Sequence, residues 1–503
     1  MIYMIPQTIL IVGGGTAGWM SANLLKKSWP TVKITLVESD SIGTIGVGEG
    51  STPFLKQFFK RIGASEREWM PQCFATYKAG IEFSRWSEKP GFTHYFHPFF
   101  SQLDIKPAEP FFHNAKLQRQ GIEADAHPDA YFVNAQMAKQ CKAPLAKRRL
   151  NFDLDYGYHF DAGRLGLWLK DRAIADGVEH IIDDVTQVEV RDSGEIAAVI
   201  GAKSGRMAAE LYVDCSGFKG LLIQQALSVP FKSYKQNLFN DAAVAIQTPL
   251  ADEQDIPTRT LSTALTNGWA WEIPLTNRVG NGYVYSSEHI SGEQAEVELR
   301  RHLGLADDTD ISAKHLKMKV GRVEQHWAKN CLAVGLSQGF IEPLEATALM
   351  LVQFTLEKFV TAKQSLQQES LVRDNYNADI NKMMEGIRDY IVTHYALNSR
   401  TDSDYWRRCR EDIEVSDNLQ ALFQAWKSHE QFESELNKQA SHLVYLRPSW
   451  YVIMAGMGNF PMDLLTPSQG QVAPVNLSKQ YCIDLVEDLF PSHKAVLSQL
   501  AAG

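Results

Sequence analysis

The stretch Leu10-Ile11-Val12-Gly13-Gly14-Gly15-Thr16-Ala17-Gly18-Trp19-Met20 constrains the fold more than any other. An apolar, β-branched run ends at Val12, and beyond Thr16 the residues Ala17, Met20, Ala22, Leu24 and Leu25 wrap a helix. Strand, tight turn and helix start therefore follow one another across a Gly-x-Gly-x-x-Gly spacing. Gly13 makes the turn, Gly15 lets the backbone approach a pyrophosphate, and Gly18 lets the helix pack close to the strand. Thr16 and Ala17 stand at a helix amino terminus, whose N–H groups and dipole favour phosphate oxygens. A second strand, residues 33–37, ends in Glu38, about 20 residues beyond the glycines, where a ribose-binding carboxylate is expected. The pattern is that of a doubly wound α/β domain holding a dinucleotide.

Composition narrows the class. With 503 residues, 45% of them hydrophobic and 22% charged, the chain is of ordinary globular make-up and long enough for several domains. A net charge of -9 argues against a nucleic-acid partner, which would require a basic face. No apolar run reaches the roughly 20 residues that span a bilayer, and the start Met1-Ile2-Tyr3-Met4-Ile5-Pro6 lacks a signal-peptide pattern. A cytoplasmic protein with no membrane partner is expected. Cys73, Cys141, Cys215, Cys331, Cys409 and Cys482 form no Cys-x-x-Cys pair, so neither a metal site nor a disulfide framework is indicated.

Further along, the glycine-rich residues 41–53, with Gly48 and Glu49, suit either a segment lying along a cofactor or a structural loop. Within residues 74–83, Lys78 stands among apolar and aromatic neighbours, which taken alone suits a surface lysine snorkelling from a half-buried segment. Residues 91–113, dense in aromatics and containing His94, His97 and His113, suit an aromatic-lined pocket or an aromatic core. Asp161 opens a helix, and strands around Ile181, Val188 and Ala198 read as an antiparallel excursion. Residues 210–215 form a strand ending in another small-residue turn, as a second cofactor-facing edge would. Residues 242–247, 268–275 and 282–287 read as a second sheet. Trp269 and Trp271 share one face of it, either as core or as the wall of a ligand channel. A buried strand, residues 330–335, leads through a loop to a long apolar helix. The start of that helix offers N–H groups to an anion, and Glu345 there also matches an ordinary first-turn charge. From about Asp374 the pattern is mainly helical, and its last helix, residues 484–500, is interrupted by Pro491.

Four of these segments together resemble the flavin-dependent halogenases of the tryptophan halogenase family. The first glycine loop resembles that of FAD proteins of the glutathione-reductase or hydroxylase type, and Trp269-x-Trp271-x-Ile273-Pro274 resembles the motif that singles out the family. Gly46-Val47-Gly48-Glu49 is similar to its second glycine loop, and Phe340-Ile341-Glu342-Pro343-Leu344-Glu345 to the stretch carrying its catalytic glutamate. The likeness spans almost the entire chain. It implies an FAD-binding doubly wound module with an added sheet over residues 1–370, Gly335 lying in its third flavin segment, and a mainly helical module over residues 371–503 that is packed on it and helps form the substrate site.

The resemblance also implies a chemistry. Reduced FAD reacts with molecular oxygen to a C4a-hydroperoxide, chloride or bromide attacks it, and hypohalous acid passes through an internal tunnel to the substrate. Lys78, in Tyr77-Lys78-Ala79-Gly80, matches the catalytic lysine and Glu345 the catalytic carboxylate. Halide is expected against the amides of Thr347 and Ala348, where the more usual Ser-Thr-Gly is replaced by Ala346-Thr347-Ala348, so both halides stay open. The tryptophan pair would keep substrate from the flavin. His97 and Phe99 resemble residues lining an indole site, with Trp450 as the opposing ring. Residues 436–446 lack the Tyr-Tyr pair and glutamate that hold the amino-acid head in tryptophan halogenases, so an indole-type small molecule without that head is expected. With no second Gly-x-Gly-x-x-Gly, reduced flavin would come from a separate NAD(P)H-dependent flavin reductase. The rivals are an FAD-dependent aromatic hydroxylase, which usually carries Gly-Asp where this chain has Gly335-Leu336, and a flavin-binding protein without turnover. The joint presence of Lys78 and Glu345 weighs against the latter.

Overall fold

The computed structural model describes residues 5–41, 43, 49–250, 255–306, 310–428, 432–461 and 471–502. The chain divides into two compact units, each assembled from three stretches: Met1–Phe74, Phe160–Tyr234 and Lys319–Met384 in the first, and Ala75–His159, Lys235–Met318 and Glu385–Gly503 in the second. The expected boundary at residue 370 is not where the chain divides. It lies at the start of the helix Glu369–Ala396, and the division falls inside that helix, between Met384 and Glu385.

In the first unit a six-stranded sheet has the order Trp327–Ala328, Cys331–Ala333, Leu211–Asp214, Thr8–Val12, Lys33–Glu38, Glu179–Ile182. All neighbours are parallel except the first pair. Ile9, Leu10, Ile11 and Val12 are all buried, as a strand with parallel neighbours on both sides and covered faces requires. The helix Thr16–Ser28 packs against the helices Ala162–Ala175 and Ala348–Ala362. Each apolar side chain fully buried in this way stabilises the unit by about 1.5–3 kcal/mol.

One expectation is corrected here. The strand around Ile181 belongs to the parallel sheet, at its edge beside Lys33–Glu38. Only Val185–Val190, Ile196–Gly201 and Gly205–Met207 form the antiparallel excursion. The half-exposed Ile181 is compatible with either sheet, and its pairing with a strand more than a hundred residues earlier has no local signature.

The second unit is built on a seven-stranded sheet of order Ala313–Lys317, Ala242–Pro249, Arg278–Tyr285, Gly268–Pro274, Arg259–Leu265, Gly80–Ser84, His94–Pro98. It is antiparallel throughout except between Arg259–Leu265 and Gly80–Ser84. It therefore holds more than the three strands expected. The strand Thr76–Lys78 lies outside it and pairs with residues 157–159. The helices Asp404–Glu411, Asp417–Lys427, Phe432–Lys438, Arg447–Gly456, Val475–Leu489 and His493–Ala501 belong to the same unit. As the proline predicts, the last two are separated at Phe490–Ser492. Among the described residues, no helix is long and apolar enough to cross a membrane.

At the glycine turn the contacts are backbone on backbone. A Cβ at Gly18 would lie 1.9 Å from the carbonyl oxygen of Gly13, and one at Gly13, whose φ is +113°, would lie 2.2 Å from that of Cys215. Neither neighbour is a flexible side chain. Gly18→Ala is expected to destabilise the apo-protein by about 1–3 kcal/mol through overpacking, measured as a lowered urea midpoint with an unchanged slope.

Candidate active site

The first unit contains a cradle that fits a dinucleotide. Gly15 is the N-cap of the helix Thr16–Ser28, with no side-chain cap and no acidic residue in the first turn. Among the described residues, nothing stands within 4 Å of where its Cβ would be. The first-turn N–H groups, beginning with Thr16 and Ala17, carry the positive end of the helix dipole, which suits a pyrophosphate. Gly335, at φ +73°, keeps the helix start clear, since a Cβ there would lie 2.7 Å from that of Ala17. Glu38 closes its strand against the turn, and a Cβ on Gly14 would overlap its carboxylate. Its Oε1 accepts from His180 Nε2 at 2.8 Å and Lys170 Nζ at 3.2 Å, two residues that carried no sequence signal. Gly48 lies outside the described residues. Glu49 is described, and burial, with the charge of Asp161 second, pushes its carboxyl up to about 7.

Glu345 belongs to the same unit and is buried, at the end of the 3-10 turn Pro343–Glu345. Ala346 follows in the left-handed conformation, φ +56°, which costs a non-glycine residue about 1–2 kcal/mol. Thr347 is the N-cap of the helix Ala348–Ala362, but its side chain does not cap it. Instead its buried Oγ1 has no hydrogen-bond partner among the described residues. An uncapped helix start beside an unanswered hydroxyl is suited to a small anion.

In the second unit, Lys78 is fully buried, which excludes the snorkelling surface lysine. Its cross-strand partner is Gly157, and its Nζ lies 5.4 Å from the centroid of the Phe99 ring. Such a contact contributes about 1 kcal/mol when the lysine is charged. Asn134, on the helix Val133–Lys139, ties the two together: its Nδ2 donates to the carbonyl of Ala79 at 3.2 Å and to that of Phe99 at 2.6 Å.

His97 and Trp450 meet through Tyr390. The Tyr390 hydroxyl is 3.4 Å from His97 Nε2 and donates to the carbonyl of Ser449. Tyr390 stacks on Tyr445 at 3.7 Å between centroids, and Trp450 stands edge-on to it at 5.0 Å. The Trp450 indole N–H donates to the carbonyl of Tyr445. Tyr390 and Tyr445 come from separate segments, so no adjacent Tyr-Tyr announced them. Trp269 and Trp271 lie on one buried face of their strand, 6.2 Å apart. The Trp271 ring rests on Gly282, where a Cβ would fall 2.1 Å from it. Ile273 and Pro274 end that strand, both buried. Lys78, His97, Phe99, Trp450 and the tryptophan motif thus belong to one unit, while the glycine turn, Glu38, Glu49, Gly335, Glu345, Thr347 and Ala348 belong to the other.

Residues 8–471 match the model of the family described as tryptophan halogenase. The chain is 37% identical over 443 residues to tryptophan 6-halogenase SttH of Streptomyces toxytricini, covering 84% of each. The crystal structure of SttH superposes with a TM-score of 0.84 at 35% identity, over 98% of this chain and 100% of that one. BrvH, a flavin-dependent halogenase from Brevundimonas sp. BAL3, is similar with a TM-score of 0.83 at 33% identity, over 99% of each chain.

A carboxyl held at about 7 when folded, against an ordinary 4.5, binds its proton more tightly in the native state. The stability it contributes is present below pH 4.5 and lost as the pH rises through 7. Glu49→Gln is expected to abolish this loss, so urea midpoints of wild type and variant should diverge between pH 5 and 8, the variant being the more stable at the alkaline end.

Proposed function

Since this chain belongs to the tryptophan halogenase family and is a flavin-dependent halogenase, we propose that it chlorinates or brominates an indole-type ring lacking the amino-acid head. Bound reduced FAD supplies the activation of molecular oxygen by which halide is oxidised to hypohalous acid. The phosphates of FAD are assigned to the N–H groups after Gly15, its adenosine ribose to Glu38, and the halide to the amides of Thr347 and Ala348. A separate NAD(P)H-dependent reductase provides the reduced flavin.

Lys78 presents the halogen to the ring. As an ammonium it polarises hypohalous acid by donating a hydrogen bond, and as an amine it carries the halogen as a haloamine. Glu345 stabilises the cationic ring and takes up its proton as aromaticity returns. The tryptophan pair keeps the organic ring from the flavin, so that oxygen goes to halide alone.

The observation that carries the reading is a fully buried lysine against the Phe99 ring, in the unit that also holds the His97, Tyr390, Tyr445 and Trp450 cluster. The Tyr390 hydroxyl donates to the carbonyl of Ser449 and the Trp450 indole N–H to that of Tyr445. A zwitterionic head would require paired charges. A flat, apolar ring does not.

Mass spectrometry of an indole panel incubated with enzyme, reductase, NADH, FAD and either halide is expected to show monohalogenated indole, with tryptophan converted poorly. Good conversion of tryptophan with indole untouched overturns the substrate reading, and a hydroxylated product overturns the reaction. Lys78→Ala should lower the rate at least about 100-fold and Glu345→Gln at least about tenfold, with FAD affinity preserved.

A further inference from the structure

A buried polar chain in the second unit takes no part in the reaction above. The hydroxyl of Thr76 donates to the carbonyl of Pro274 at 2.7 Å and lies 3.1 Å from His159 Nδ1, while His159 Nε2 lies 2.9 Å from the hydroxyl of Thr260. A hydroxyl has one proton to give. Because Thr76 gives its proton to Pro274, His159 must donate from Nδ1, and in a neutral ring Nε2 then accepts from Thr260. With a neutral imidazole, donation runs from Thr260 through His159 and Thr76 to Pro274. Burial first, and the charge of Lys78 second, hold this histidine well below its ordinary pKa of 6.5, in agreement with that order.

His493 repeats the arrangement one residue along. Its Nδ1 donates to the carbonyl of Ile256 at 2.9 Å, so its Nε2 accepts the backbone N–H of Tyr77 at 3.0 Å. Thr76, Tyr77, Lys78, His159 and His493 are all fully buried. Thr76 and Lys78 are two residues apart on one strand and project to the same side. Whatever holds the Thr76 side chain also fixes the direction of the Lys78 stem.

We propose that His159 is a positioning residue for Lys78: the chain Thr260, His159, Thr76, Pro274 locks the lysine's strand to the tryptophan strand Gly268–Pro274, and a neutral imidazole does so without adding a second positive charge beside the lysine. The carbonyl of the motif's proline thereby has a task of its own. It is the terminal acceptor that sets the direction of every donor before it. The inference rests on Lys78 being the residue that presents the halogen.

His159→Phe removes both hydrogen bonds at similar ring volume, His159→Asn keeps a donor where Nδ1 stood, and Thr260→Val removes only the outer donor. Each is measured by thermal midpoint, FAD affinity, kcat and KM for indole bromination, and the 13Cε resonance of Lys78 in lysine-labelled protein, assigned by its absence in Lys78→Ala. His159→Phe is expected to lower kcat about tenfold or more with KM within about twofold and to move the Lys78 resonance, and His159→Asn to restore most of both. Thr260→Val should shift the same two quantities in the same direction by less, and it serves as the test if His159→Phe does not fold. An unchanged kcat in folded His159→Phe, or a lost kcat with the Lys78 resonance at its wild-type position, overturns the proposal. Full activity in Lys78→Ala would overturn the catalytic reading of the lysine instead, while the resonance would still report whether His159 positions it.

Discussion

The first unit depends on two backbones approaching where no side chain fits. The Gly18 Cα sits against the Gly13 carbonyl, and Gly13 sits against that of Cys215, so strand, turn and helix are locked without side chains between them. Buried polar bonds hold the other side of this contact. The amide of Cys215 donates to the carbonyl of Val12, and the buried Asp214 carboxylate accepts from the amides of Ser216, Leu222 and Ile223. Burial raises the pKa of that carboxyl, but four hydrogen bonds oppose the rise. With the backbone fixed, the helix amino terminus is held in place, and a ligand with negative oxygens suits it.

Much of this was legible in the sequence because its signals are local. A glycine spacing, a run of β-branched residues and a helical period each announce themselves within a dozen positions, and the six-stranded sheet grew from them. The seven-stranded sheet was half legible. Arg259–Leu265 and Ala313–Lys317 carry threonine, serine and lysine in place of an apolar pattern, and pairing across the sheet overrides that weak local preference. The partners of the strand at Ile181 are hidden for the same reason: parallel pairing over a long sequence separation leaves no mark on the strand itself.

The candidate site divides similarly. Lys78 and Glu345 could be named only by their likeness to a family, because a snorkelling lysine and a buried one look the same in a sequence, as do a first-turn charge and a catalytic carboxylate. Asn134, His159, Tyr390 and His493 were not legible at all. Each acts on a segment brought to it by the fold, Asn134 on Phe99 35 residues earlier and Tyr390 on His97 293 residues earlier. What they share is burial together with a specific hydrogen bond, and neither property belongs to a residue before it is folded.

His493 carries this furthest. The amide of Tyr77, next to the lysine, finds its acceptor 416 residues further along the chain. Contacts of such separation form late, after the loop between them has closed. The strand bearing Lys78 is made long before the helix His493–Ala501 that supplies this acceptor. The strand bearing Lys78 is thus completed only when a segment 416 residues downstream has packed against it, so its pairing reports on the folding of the whole second unit and not of its own neighbourhood.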